Sequence, residues 1–169
     1  MNTLTPFHLT PLGTFHTAIS LIAVVAGVIA FVRDKEISPK NLVGRIYVTT
    51  TVITCLTGFG IFQHGGFGKP HVLGVAAVAG NSRLFGRASP LVETISYSAT
   101  FLFHMIPGIT ETSIRLPLGA PLVANADAPA LQVATGVLFA AFLIGATLQV
   151  GQLRAKSRLL ARNVQPSAP

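Results

Sequence analysis

Tryptophan is absent from this 169-residue chain, cysteine occurs once and acidic residues number only five. The lone Cys55 excludes an intramolecular disulfide. Its apolar neighbours also argue against a reactive thiolate, which needs an electropositive and accessible setting. Five acids are too few and too scattered to assemble a Ser/His/Asp hydrolase or a metalloprotease helix motif. Charged residues make up 10% of the chain, against about a quarter in a soluble globule. Without Trp, the interfacial aromatic role in a membrane falls to Phe and the two Tyr. Residues 1–13 contain no Lys or Arg, so a secretory signal with a positive n-region is not expected.

What fills the chain is apolar sequence, half of its residues, in long runs separated by basic clusters. The formal charge of +7 would serve a nucleic acid only as a patch with readout residues. Here the cations flank apolar segments, so the lipid bilayer is the expected partner and nucleic acid is not. About 20 apolar residues cross ~30 Å of hydrocarbon. That length predicts one membrane domain, 1–169, with spans near 12–32, 45–62, 70–85, 90–107 and 131–152. An outer loop is expected at 109–130, where Thr110 caps a turn pairing Glu111 with Arg115, and a disordered tail at 163–169. Ten of the twelve Lys and Arg then share one side, leaving only Lys69 and Arg115 opposite. Cations in short loops stay cytoplasmic. The expected fold is therefore an all-α bundle of five transmembrane helices in a bacterial inner membrane, N-terminus outside and C-terminus inside.

Spacing also predicts which faces pack, because membrane helices associate through small residues and polar contacts. His16, Ser20, Ala23, Gly27 and Ala30 form one stripe. Glu93, Tyr97, Thr100 and His104 form another. Tyr47, Thr50, Thr54 and Thr57 share a side of the second helix. Gly136, Ala140, Ala141 and Gly145 mark the last helix as a packing helix. His16 and His104 each lie about four residues inside a span, roughly 5–6 Å below the outer boundary. Two inward imidazoles at matched depth suit the axial positions of a b-type haem, or a transition metal. His64 and His71 are alternate metal ligands at the outer surface, and His8 is the weakest candidate. Glu93, an ionisable group within a span, serves either proton or quinone chemistry with Tyr97 or an ion pair with Arg45, Arg83 or Arg87.

His16, Gly27, the basic stretch Arg33 to Lys40 and Gly44-Arg45-Ile46-Tyr47 together resemble an uncharacterised family of small bacterial polytopic membrane proteins, a domain of unknown function. The resemblance covers roughly Phe15 to Gly80. It departs at the entry to the fourth span, where Ala88-Ser89-Pro90 replaces a basic, His-containing motif. It implies a membrane location and a helical bundle rather than an activity.

Two classes of function follow. One is a redox or electron-transfer subunit holding haem b or a metal at His16 and His104 near the outer face. The other is a non-catalytic accessory or assembly subunit, packed against other membrane subunits or its own copies. A solute carrier is weaker, for want of matched broken helices. Whether the protein is an enzyme stays open.

Overall fold

Thr10 starts the first helix. Its Oγ1 accepts the Gly13 N–H at 3.1 Å, and Pro11 sits in the first turn, where no N–H is needed. The computed structural model describes residues 10–58, 60, 86 and 89–164. These form α1 (Pro11–Asp34), α2 (Leu42–Gly58), α3 (Ser89–Arg115) and α4 (Pro129–Val164).

The turn between α1 and α2 is built, not slack. Lys35 ends α1 in the left-handed region at φ 63°. Asn41 then caps α2, its Oδ1 accepting the Gly44 N–H at 2.8 Å while its Nδ2 donates to Asp34 at 3.0 Å. Gly44 lies so close to the Ser38 carbonyl that a Cβ there would overlap it. A closed hairpin of α1 and α2 follows.

α1 presents Ala23, Ala26, Gly27 and Ala30 to the core and leaves Leu21, Ile22, Val25, Val28 and Ile29 exposed. Small residues inside and large aliphatic ones outside suit helix packing within lipid. Tyr47, fully buried, pins α2 to α3: its hydroxyl donates to Thr100 Oγ1 at 2.9 Å. Thr100 spends its own hydrogen on the Tyr97 carbonyl at 2.8 Å, which fixes that direction. Phe101 stacks edge-on against Phe31, with centroids 5.1 Å apart, and closes the core.

Pairings set the helix directions. His16 meets Thr57, so α1 and α2 are antiparallel; Tyr47 meets Thr100 and Thr51 meets His104, so α2 and α3 are parallel. Gln149 of α4 ties three elements together. Its Oε1 accepts from Ser98 Oγ at 2.9 Å and its Nε2 donates to the Lys35 carbonyl at 3.0 Å.

The all-α expectation agrees with this structure, but five transmembrane helices must be corrected. Among the described residues there are four helices, and two of them, α1 and α4, are long and apolar enough to cross a membrane. α2 has only 17 residues. α3 has 27, but Ser, Thr, Glu and His replace aliphatic residues along it. The expected span at 70–85 lies outside the described residues. The expected outer loop is also shorter than 109–130, since α3 runs through Pro107 to Arg115 and takes the Glu111–Arg115 pair with it. One proline deletes one N–H, and the rest of the ladder carries the helix on. α4 likewise continues past residue 152 into the cationic stretch, because Arg154 to Arg162 holds good helix formers and no Pro or Gly. The tail beyond Val164 lies outside the described residues. The expected packing face of α4 is partly wrong: Gly136 and Ala140 are exposed, and the inward stripe is Leu131, Leu138, Phe142, Gly145 and Gln149.

Candidate functional site

α1, α2 and α3 enclose a cavity of about 440 Å³ at the end of the bundle where α1 begins. His16 comes from α1, Thr51, Thr54 and Cys55 from α2, and His104 from α3. The structure thus brings His16 and His104 to one cavity. Such a volume lies within the range of small-molecule and cofactor sites.

The threonines of α2 arrange the histidines. Thr50, Thr54 and Thr57 each return their hydroxyl hydrogen to a carbonyl one turn earlier, at 2.7, 2.8 and 2.9 Å. With its hydrogen spent, Thr57 Oγ1 can only accept from His16 Nδ1, 2.9 Å away. The proton of a neutral His16 therefore sits on Nδ1, and Nε2 keeps its lone pair. A metal-ligating histidine has this same arrangement, its second nitrogen donating to an outer partner.

His104 is engaged differently. Its Nε2 lies 3.1 Å from Thr51 Oγ1, and its ring stands edge-on to Tyr47 at 6.2 Å. Depth also separates the pair. His16 bonds to residue 57 and His104 to residue 51 of the same helix, a rise of about 9 Å over six residues. Matched depth, as read from the sequence, does not hold.

The other candidates scatter. Tyr97 is buried below the cavity, where its carbonyl serves Thr100 and Tyr47. Glu93 is half-buried one turn earlier on α3 and makes no ion pair among the described residues. Arg45 is exposed on α2 and is not brought to Glu93. His8, His64, His71, Arg83 and Arg87 lie outside the described residues. Among the described residues no group of three or more His, Cys, Asp or Glu is placed to hold a metal ion.

Thr51 and Cys55 were missed as cavity residues. A signal existed: 47, 51 and 55 repeat at i, i+4 and i+8 along the turn that carries Tyr47. No protein-family model, curated protein or solved structure matches the chain. The class defined by the described residues is an all-helical protein with two helices long and apolar enough to cross a membrane.

Proposed function

We propose that this is a multi-pass protein of a bacterial inner membrane that holds a cofactor in the α1–α2–α3 cavity, in the class of redox or electron-transfer subunits. The observation that carries the proposal is His16, lining the cavity with Nδ1 2.9 Å from Thr57 Oγ1, a pairing that assigns the proton to Nδ1 and the lone pair to Nε2. A haem b or a transition metal is the proposed cofactor, with His16 as its protein ligand. Bis-imidazole haem ligation does not fit the side chains as they stand. His104 Nε2 is held by Thr51, and the two rings bond about 9 Å apart along α2. His104 lines the cavity wall instead.

Gentle purification in detergent should yield a haem absorption band or stoichiometric metal. His16→Ala should abolish it. Thr57→Val, which keeps the shape but removes the acceptor for Nδ1–H, should weaken retention by about 10–100-fold. A protein with neither haem band nor metal ends this proposal. The accessory-subunit reading then takes its place. It draws on α4, where Gly136, Ala140, Thr147 and Gly151 form an exposed stripe of small residues that faces no helix among the described residues. Resemblance to small polytopic proteins through His16, Gly27 and Gly44-Arg45-Ile46-Tyr47 is compatible with either class.

A further inference from the structure

A second cavity, about 340 Å³, opens between α3 and α4 at the opposite end of the bundle from His16. Its walls are apolar, with Phe101, Met105, Leu138 and Phe142 among them, and its far end is polar, with Lys35, Gln149 and Gln152. Gln149 is satisfied by Ser98 and the Lys35 carbonyl, and the Lys35 ammonium gives one of its three hydrogens to the Val32 carbonyl at 2.9 Å, which leaves Gln152 and the other two ammonium hydrogens for an occupant. Lys156 follows on the same face of α4, one turn beyond Gln152 and seven residues beyond Gln149, about 10 Å along the axis.

Neither lysine has a carboxylate partner. The chain has five acids, all among the described residues: Asp34 pairs with Arg33 and Glu111 with Arg115, while Glu36, Glu93 and Asp127 pair with no described cation. An apolar slot ending in unpaired cations complements one kind of molecule. We propose that this groove binds an anionic glycerophospholipid, one acyl chain between α3 and α4 and the phosphate between Lys35 and Lys156. The apolar wall alone selects nothing, since lipid tails are as apolar as leucine. Selectivity comes from the cations, which attract anionic head groups at a membrane surface. The site requires the proposed membrane location but not the histidine cavity, so the haem result leaves it untouched.

The test uses the full chain in detergent with added phosphatidylglycerol or phosphatidylcholine, reading retained lipid by native mass spectrometry and the melting temperature. Wild type should favour phosphatidylglycerol by about tenfold or more, given two surface cations. Lys35→Asn combined with Lys156→Gln should erase the preference; Asn tolerates the left-handed backbone at position 35. Gly145→Leu should also erase it with every cation in place. A Cβ at Gly145 meets nothing within 4 Å, and Gly145 lines the groove, so the leucine side chain has the groove to enter. Equal retention of the two lipids by wild type overturns the proposal. So does full preference in Gly145→Leu, which would mean that the cations attract lipid without the groove. A lipid-independent dimer that Gly145→Leu dissociates would assign the groove to a second copy and also overturn it. Both lysines are exposed, so their variant decides the head-group half even where Gly145→Leu is unstable. Absence of the chain from membranes would instead refute the location.

Discussion

Gly27 and Tyr47 carry more of this fold than their chemistry suggests. A Cβ on Gly27 would come within 2.5 Å of the Phe101 ring and 3.1 Å of Tyr47. Phe101 is flanked by Phe31 and Tyr47, so it can yield only toward the α3–α4 groove and at the expense of those contacts. Gly27→Ala should therefore destabilise by about 1–3 kcal/mol, the usual cost of overpacking, despite alanine's better helix propensity. A thermal melt in detergent checks it, and a higher melting temperature would show that the ring does move. The sequence disclosed this contact halfway. Spacing placed Gly27 on the packed stripe with His16 and Ala23, because small residues one and two turns apart define a face. It could not show that an aromatic from a distant helix fills the notch. Phe101 lies 74 positions away, and no periodicity links the two.

At the scale of elements, the α1–α2 turn shows why the motif Gly44-Arg45-Ile46-Tyr47 reads as it does. Gly44 admits the Ser38 carbonyl, Tyr47 pins α3, and Arg45 simply points out. Asn41 does two jobs, capping α2 and holding Asp34. Asn41→Ala should cost about 1 kcal/mol or slightly more, whereas Asn41→Asp, which keeps the cap acceptor, should recover part of it. Equal melting temperatures for wild type and Asn41→Ala would mean that the cap adds nothing. α3 was only partly legible in outline. Its Thr94, Ser96, Ser98 and Thr100 are buried, the last two against α4 and α2, and hydropathy counts such residues as though they met lipid. Its far end was misjudged for a different reason, as Pro107 reads as a stop but the helix passes through it. The cavity histidines were legible as inward-facing. Their difference in height was not, because depth was counted from assumed span ends rather than from contacts.

As a whole the molecule has two unlike ends. His16 and His104 open a cavity at one, and Lys35 and the α1–α2 turn lie at the other, the end toward which α4 carries Lys156. Between them, α1 and α4 expose many large aliphatic and aromatic side chains, interleaved on α4 with the small-residue stripe, an outer surface that water would not solvate well. The chain should stay with the membrane pellet through an alkaline carbonate wash and leave it only with detergent; recovery in the carbonate supernatant would rule out an integral protein. Composition and charge alternation were enough to suggest this location, but the number of crossings was not readable from them. Gln149 has one more consequence, for the order of assembly. Its amide, near the end of α4's apolar run, is satisfied among the described residues by Ser98 and by Lys35, 51 and 114 positions away. The α1–α2 hairpin closes through neighbours in sequence and needs no such help. α4 can complete both bonds only when α1 and α3 stand side by side, so its docking reports that the rest of the bundle has formed.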